Sequence, residues 1–428
     1  MTSAAGLVVA NMIGAGVFTT SGFALADLGR REIVLVAWGI GGLLAMCGAL
    51  SYGALARRIP ESGGEYTLLS TTVHPLAGLA AGWVSLLAGF TAPIAAAALA
   101  LQAYVGDPLG GLADPRWIGT SAILAAGLMH GLRLRHGIVL QNLAVAGMLL
   151  LIAGLLVLGA LRAPLVEGAA PLEAPELELG AFAVTLVWIS FAYSGWNAAV
   201  YVAGEVRDPA RNLPRSLWLA TALVTLAYVA LNAVFLYAAP AELLAGQAEV
   251  AAIAAEALGG VGLRRWVAGL VALALFTSIS AMVMAGPRVY ARMASDGLFP
   301  RFLARGSDAP GAAVALQVGL AIVVVWVSDL VQLLGYIGFT LGLSAAATVG
   351  GLIALRRREG AERVPVPGYP WVPGLFVIAT LTTAGFMVAR APFESTLGLA
   401  TIALGLPFYW LRRRRGTTPS DSADAAAR

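Results

Sequence analysis

Charged residues are scarce in this sequence. They make up 12% of its 428 residues, whereas 59% are hydrophobic, and the mean hydropathy is +0.83. A soluble domain carries roughly twice that share of Asp, Glu, Lys and Arg, about 25%. Because the chain lacks the polar side chains that would cover a surface facing water, its composition excludes a soluble globular fold and predicts a membrane protein.

Lysine is missing altogether, and cysteine occurs once. Each of the 27 basic residues is arginine, so no reaction or coupling step can use a lysine side chain. The single Cys47 excludes an intrachain disulfide. The arginines fall between apolar runs and do not cluster in one domain. That distribution is typical of the flanks of membrane spans and not of a surface that binds nucleic acid.

Long apolar runs fill most of the chain. A helix needs about 20 apolar residues to cross a bilayer, and this length divides the sequence into about twelve spans. Spans 9 and 10 are separated only by Ser328 and Asp329, so the count depends on that boundary. The predicted fold class is an all-α polytopic membrane protein. The spans are predicted at 4–27, 33–55, 76–104, 117–132, 138–160, 180–203, 216–238, 266–289, 311–328, 330–354, 372–390 and 395–411.

The arginines also predict the orientation of these spans. Most of them fall in the connections that share one side of the membrane with both termini, and the positive-inside rule makes that side cytoplasmic. The acidic connection at 162–179 is then external, and the polar tail at 416–428 is expected to be disordered. Arginine-only basic usage with abundant Ala, Leu, Gly and Val is typical of a GC-rich prokaryote. The expected location is therefore a plasma (inner) membrane, which the chain crosses many times.

Ionisable side chains are nearly absent from the middle of the predicted spans. No Asp, Glu, Arg or His lies there, and His74, His130 and His136 all fall near span ends. Such groups mark proton relays and voltage sensors when they occur within a membrane. Their absence excludes those functions and leaves no residues for intramembrane proteolysis. The chain is therefore not expected to be an enzyme or to hold a metal or cofactor.

Two spans carry small residues at mid-membrane. Span 1 contains Gly14, Ala15 and Gly16, and span 6 contains Ser194 followed by Gly195. Each glycine lowers helix propensity by about 1 kcal/mol, although small residues also serve close packing between helices. Interruptions five spans apart are typical of two inverted five-helix repeats that bind a ligand through the ends of broken helices. Free N–H groups and carbonyls could hold a zwitterion there without a buried side-chain charge.

Five signatures carry a resemblance to a known family. They are Asn-Met-Ile-Gly-Ala-Gly-Val-Phe at 11–18, Arg-Ile-Pro-Glu-Ser-Gly-Gly-Glu-Tyr at 58–66, Glu-Val-Arg-Asp-Pro-Ala-Arg-Asn-Leu-Pro-Arg at 205–215, the exit of span 8 at 288–300, and Val-Pro-Val-Pro-Gly-Tyr-Pro at 364–370. In this order they resemble the amino acid–polyamine–organocation superfamily, and within it the bacterial relatives of the L-type amino-acid transporters.

The resemblance implies the architecture of the whole chain. A permease domain would cover 1–415, with a five-plus-five inverted-repeat core in which helices 1 and 6 are broken, as in the LeuT-like fold. The repeats would lie at about 1–161 and 180–358, and two trailing helices at about 372–411.

The resemblance also implies a substrate site formed by the two breaks. Phe191 would be the aromatic gate over that site, with plain packing as the alternative. Trp196 and Asn197 would belong to the break or else anchor the second half of span 6. Backbone N–H groups for the substrate carboxylate would come from Gly14, Ala15, Gly16 and Val17, and carbonyls for its amine from Ile13, Phe191, Ala192 and Ser194, with Gly195 at the turn.

The sequence departs from the family at several points. Many relatives carry a lysine in span 5 in place of a coupling ion, and the matching segment at 141–148 has none. Thr277 and Ser278 lie where sodium-dependent members place a hydroxyl pair, but these hydroxyls could instead bond carbonyls one turn earlier. Cys47 lies within span 2, so it cannot form the disulfide that links animal L-type transporters to a glycoprotein, and no such partner is expected. Little of the segment that precedes span 1 in the family stands in this sequence, so either its start is misassigned or a contact of the inner gate is missing.

Together these features predict a permease that moves a neutral, fairly small amino acid by alternating access, with spans 1, 2, 6 and 7 rocking against spans 3, 4, 8 and 9. Exchange, sodium coupling, passive movement and homo-oligomer formation all stay open. The first alternative is a cationic amino-acid or polyamine carrier, which would need an acidic pocket that the sequence does not indicate. The second is a channel or a substrate sensor, which would need a polar or charged pore or a soluble output domain.

Overall fold

The computed structural model describes residues 2–106, 114–131, 137–162, 178–295 and 311–407. All regular secondary structure in these ranges is helical, which confirms the predicted all-α fold class. Most of the predicted external acidic connection and the whole of the predicted disordered tail lie outside the described residues.

The described chain as far as the end of span 5 contains eight α-helices and one π-helix, of which α4 lies between spans 2 and 3. Span 3 is not a uniform α-helix, because a π-helical segment lies within it just before Pro93. The elements are α1 (Thr2–Met12), α2 (Ala15–Leu28), α3 (Arg31–Arg58), α4 (Gly64–Thr72), α5 (Pro75–Val84), the π-helix (Ser85–Thr91), α6 (Ala92–Val105), α7 (Arg116–Gly131) and α8 (Gly137–Arg162).

The remaining spans contain eight α-helices and one 3₁₀-helix. The helix of span 8 begins earlier than predicted, but Gly259 and Gly260 break it, and Gly260 has a left-handed φ of 77°. Asp329 caps the helix of span 10 in a capping box with Gln332, which confirms the predicted boundary after span 9. The elements are α9 (Leu179–Ala192), the 3₁₀-helix (Ala198–Glu205), α10 (Pro209–Ala238), α11 (Ala241–Leu244), α12 (Val250–Ser295), α13 (Gly311–Val327), α14 (Leu330–Glu359), α15 (Trp371–Arg390) and α16 (Pro392–Ala403).

Each predicted span coincides with helix, although the lengths differ. Spans 4 and 12 are helical over 16 and 12 described residues, in α7 and α16. Shorter apolar helices occupy Ala146–Arg162, Leu179–Ala192 and Gly311–Val327. Seven segments are long and apolar enough to cross a membrane on their own: Ala4–Leu28, Arg31–Arg58, Pro75–Val105, Pro209–Ala238, Val250–Pro287, Leu330–Glu359 and Trp371–Arg390.

The two halves of the chain pack through corresponding spans. α3 (span 2) packs most extensively with α10 (span 7), and α6 (span 3) packs extensively with α12 (span 8). Glycines allow the first pair to approach closely. A Cβ added at Gly42 would lie 2.9 Å from Oγ1 of Thr225, and one at Gly53 would lie 3.0 Å from Cα of Pro214. Close packing of this kind holds membrane helices together, because lipid gives them no hydrophobic reason to associate.

Large apolar side chains cover the outside of the molecule. Leu150, Leu226, Val327 and Trp371 are between 71% and 81% exposed. Such a surface would be unfavourable against water, so it fits contact with lipid and agrees with the composition.

Candidate functional site

Span 1 is broken where the glycines predicted it. α1 ends at Met12 and α2 begins at Ala15, with Ile13 and Gly14 outside both helices. Gly14 has extended backbone angles, with φ −144° and ψ −158°. The first N–H groups of α2 have no acceptor within their own helix, and the last carbonyls of α1 have no donor within theirs.

Span 6 is broken at the matching position. α9 ends at Ala192, a run of turns follows, and the chain resumes as a 3₁₀-helix at Ala198. The N–H of Ser194 donates to the carbonyl of Phe191 at 2.9 Å, which reverses the chain locally. Gly195 has φ +98°, a left-handed conformation that glycine adopts more readily than other residues. The predicted break in span 6 is confirmed.

The two breaks are in direct contact. A Cβ at Gly16 would lie 2.6 Å from Cβ of Ala192, and one at Gly195 would lie 2.6 Å from the carbonyl oxygen of Asn11. Both glycines therefore permit an approach that any other residue would prevent. A Cβ added at Gly14 would have Oγ of Ser278 as its nearest neighbour, at 3.9 Å, which is an ordinary contact distance. Close packing therefore does not explain why residue 14 is a glycine.

A tyrosine from span 7 caps the end of α1. The hydroxyl of Tyr228 donates to the carbonyl of Met12 at 2.5 Å, and both residues are buried. This contact satisfies a carbonyl that the break leaves without a helical partner. Sequence analysis did not identify Tyr228, and its only signal was a polar hydroxyl in the middle of an apolar span.

A cavity of about 1110 Å³ adjoins the breaks. Seven of the predicted site residues line it: Ile13, Phe191, Ser194, Gly195, Asn197, Thr277 and Ser278. Its wall also includes Pro60, Glu61 and Ser62, which are exposed, so the cavity reaches the molecular surface beside them.

The remaining predicted site residues do not line the cavity. They are Gly14, Ala15, Gly16, Val17 and Ala192. The three at the start of α2 are buried, and Gly16 packs directly on Ala192. The structure thus brings three of the four residues with predicted carbonyl ligands to the cavity wall, but none of the four with predicted N–H ligands. The carboxylate-binding role of these N–H groups stays a prediction.

Glu65 is a wall residue of the cavity that sequence analysis missed. Its side chain is buried in the first turn of α4, with 6% of its surface exposed. Oε1 accepts hydrogen bonds from Tyr52 Oη at 3.1 Å and from Asn197 Nδ2 at 2.5 Å, and Oε2 accepts one from Tyr201 Oη. The expectation that no acidic group would lie at the pocket was therefore wrong. Glu65 follows a Gly-Gly pair in the signature at 58–66, which served only for the family resemblance.

Aromatic side chains fix the second half of span 6. The ring of Trp196 lies 4.7 Å from that of Tyr52 and 6.1 Å from that of Phe376, centroid to centroid, both edge-on. Asn197 is bonded to Glu65. Trp196 and Asn197 thus anchor the second half of span 6, and both also line the cavity. Phe191 is 7% exposed and lines the cavity as well.

The hydroxyl pair of span 8 is divided between two environments. Thr277 Oγ1 donates to the carbonyl of Ala274 at 2.8 Å, which is the bond within the helix that sequence analysis gave as the alternative to an ion site. Ser278 Oγ lies near Gly14, and the next hydroxyl along, Ser280, is 2.8 Å from Nε2 of His130. In the described part of the chain, no cluster of three or more His, Cys, Asp or Glu could hold a metal ion.

The sequence matches the family described as "Amino acid permease" over residues 1–403. It is 30% identical to the "Large neutral amino acids transporter small subunit 2" of Oryctolagus cuniculus over 431 residues, 96% of this chain and 79% of that protein. It is 28% identical to the "Asc-type amino acid transporter 1" of Mus musculus, over 96% of this chain and 80% of the relative. It is 26% identical to the "Serine/threonine exchanger SteT" of Bacillus subtilis (strain 168), over 96% and 95% of the two chains.

Proposed function

The chain belongs to the amino acid permease family, and we propose that it moves a neutral amino acid across a plasma (inner) membrane by alternating access. The observation that carries this proposal is the meeting of two interrupted spans beside one cavity. The first N–H groups of α2 and the last carbonyls of α1 and α9 lie at these interruptions, where no continuing helix supplies their partners. The relatives support it, since their names describe transporters of large neutral amino acids and an exchanger of serine and threonine.

The ends of the broken helices suit a zwitterion. The substrate amine would contact the carbonyls of Ile13, Phe191, Ala192 and Ser194, of which all but Ala192 belong to cavity-lining residues. The carboxylate would bind the N–H groups at the start of α2, where the helix dipole favours negative charge. Because Ala192 covers Gly16 in the present form, carboxylate binding would require α2 and α9 to shift apart. Phe191 would close over the bound substrate as an aromatic gate.

Two sets of helices would move against each other: spans 1, 2, 6 and 7 form the moving set, and spans 3, 4, 8 and 9 form the other. The inverted repeats would lie at about 1–161 and 180–358, and the pairing of α3 with α10 and of α6 with α12 is what a two-fold relation between them requires. Both termini would be cytoplasmic, which places the open end of the cavity, beside Pro60 to Ser62, on the cytoplasmic side. The present form would then be the one that exchanges substrate with the cytoplasm.

Exchange is the proposed mode of transport. The Thr277 hydroxyl donates its proton to the carbonyl of Ala274, a bond within the helix that gives this hydroxyl a structural role without an ion. Span 5 has no lysine that could replace one. The relative from Bacillus subtilis is named an exchanger, which agrees with this interpretation. Sodium coupling through Thr277 and Ser278 is the alternative.

Glu65 does not favour a carrier of cationic amino acids or polyamines. A cation needs a carboxylate with free acceptor positions, and the two oxygens of Glu65 already accept three hydrogen bonds from neutral donors, which leaves about one of the four positions that a carboxylate offers. A channel or a substrate sensor is disfavoured because the cavity adjoins two broken helices, a feature of carriers whose binding site opens to each side in turn.

Radiolabelled uptake into proteoliposomes tests the proposal. Vesicles either empty or preloaded with unlabelled neutral amino acid would be compared, each with and without a sodium gradient. Uptake that saturates and occurs only in preloaded vesicles would establish exchange, whereas sodium-stimulated uptake into empty vesicles would establish an ion site at span 8. If no neutral amino acid is taken up under any condition, the proposed substrate class is wrong.

A further inference from the structure

The segment that leads into α4 is fastened to the second half of span 6 by main-chain contacts. The N–H of Gly63 donates to the carbonyl of Tyr201 at 3.3 Å, and the N–H of Gly204 donates to Oγ of Ser62 at 3.0 Å. Gly64 has φ +59°, and a Cβ there would lie 2.5 Å from Cζ of the Tyr201 ring. The Gly-Gly pair thus allows this segment to turn and approach Tyr201 closely.

Glu65 adds a charge to this contact. Its three partners, Tyr52, Asn197 and Tyr201, are all neutral, and no ion pair in the described part of the chain includes its carboxylate. A buried carboxylate needs several donors, and a hydrogen bond to a charged group is stronger than one between neutral groups. The contact therefore depends on the charge of one side chain.

The two sides of this contact belong to different parts of the molecule. α4 packs mainly against α5 and α14. A hydrogen bond from Arg358 to the carbonyl of Thr72 adds to the attachment of α4 at α14. The donors to Glu65, by contrast, come from α3 and from the second half of span 6. Glu65 consequently joins α3 and the second half of span 6, which belong to the proposed moving set, to α4.

The element that Glu65 holds has an unusual conformation. The 3₁₀-helix Ala198–Glu205 has eight residues, whereas runs longer than about three or four residues are uncommon because their hydrogen bonds are poorer. Long 3₁₀ stretches often mark hinges. Contacts from outside this helix, at Asn197, Tyr201 and Gly204, oppose its conversion to a regular α-helix.

We propose that Glu65 is a positioning residue for transport: its carboxylate fastens the second half of span 6 to α4 and thereby stabilises the form in which the cavity is open beside Pro60 to Ser62. This inference rests on the proposed alternating access, since it assigns Glu65 to one of the two forms. Loss of the carboxylate releases Asn197 and Tyr201 together and shifts the protein away from the open form.

Thiol labelling measures the open form without any substrate. Replacing the single Cys47 by alanine leaves no other cysteine, and Ala285→Cys then places a thiol on the cavity wall. The purified full-length protein is treated with a water-soluble maleimide, and the labelling rate is followed by mass spectrometry. Glu65→Ala in this background is expected to slow labelling by up to about tenfold, the limit that a change of about 1.4 kcal/mol in the equilibrium can produce. Glu65→Gln, which keeps an acceptor oxygen, should slow it less.

Matched variants separate positioning from general damage. Glu362→Gln removes the same charge from an exposed carboxylate that does not line the cavity, and it should leave the rate within about twofold of the parent. Tyr201→Phe removes one hydroxyl only, so it keeps the inference testable if Glu65→Ala does not fold. It should slow labelling by about threefold, and combining it with Glu65→Ala should add little to the effect of Glu65→Ala alone, because both changes break the same bond.

Unchanged or faster labelling in both Glu65→Gln and Tyr201→Phe would overturn the inference, and so would an equal effect of Glu362→Gln. Because labelling requires no transport, these outcomes can be read even if the parent protein takes up no amino acid. A failure of the proposed function and a failure of the role of Glu65 are therefore distinguishable.

Discussion

Substitution of Gly16 by alanine should separate the two broken spans. Gly16 is buried in the first turn of α2, and a Cβ on it would lie 2.6 Å from Cβ of Ala192 at the end of α9. Carbon atoms pack best at about 3.5–4.0 Å, so the two helices would have to move apart by about 1 Å. Overpacking of this size costs about 1–3 kcal/mol. Because these helices flank the proposed site, the displacement changes the site as well as the stability.

The assay is amino-acid uptake into proteoliposomes that contain equal amounts of protein. Gly16→Ala is expected to reduce the rate at least tenfold, roughly the effect of 1.4 kcal/mol, and Gly16→Leu should abolish uptake while leaving membrane insertion intact. Gly6→Ala is the matched control in the same span, since a Cβ there meets no atom within 4 Å. Its rate should stay within about twofold of the parent. Uptake by Gly16→Ala at the parental rate would refute the argument from packing.

Three other substitutions test neighbouring contacts. Gly195→Ala should impair uptake more than Gly16→Ala, because it adds a strained φ of +98° to a contact of 2.6 Å with the carbonyl oxygen of Asn11; equal uptake by the two variants would contradict this. Tyr228→Phe removes the donor to the Met12 carbonyl and should weaken transport by about two- to tenfold in kcat/KM, and no change would show that the cap is dispensable. Thr277→Val should leave the response to a sodium gradient unchanged, since the hydroxyl is bonded within its own helix; loss of a sodium response in this variant would instead identify an ion site.

Several features followed from the sequence because they depend on local properties. Hydropathy located the helices, because a bilayer demands about 20 apolar residues from each crossing segment whatever its neighbours are. The breaks at 13–14 and 193–197 followed from Gly14, Gly16 and Gly195, since glycine weakens a helix at its own position. The family also followed from sequence, as its signatures are short and contiguous.

Other features depended on residues that are far apart in the chain. Tyr228 reaches the carbonyl of Met12 across 216 positions, and Asn197 reaches Glu65 across 132. Neither pair leaves a pattern of spacing in a single sequence. Glu65 in particular lies outside every predicted span, so hydropathy assigned it to a surface connection, whereas the fold buries it in the cavity wall.

The role of each small residue at the breaks was likewise a matter of tertiary structure. By sequence, Gly14 and Gly16 are equivalent glycines on either side of Ala15. In the fold, Gly16 packs on Ala192 while Gly14 has open space beside it. Propensity and hydropathy belong to a residue and its close neighbours, and they determined where the chain breaks. Which atoms meet across those breaks is decided by the packing of distant helices, because steric exclusion acts only between groups that the fold has brought together.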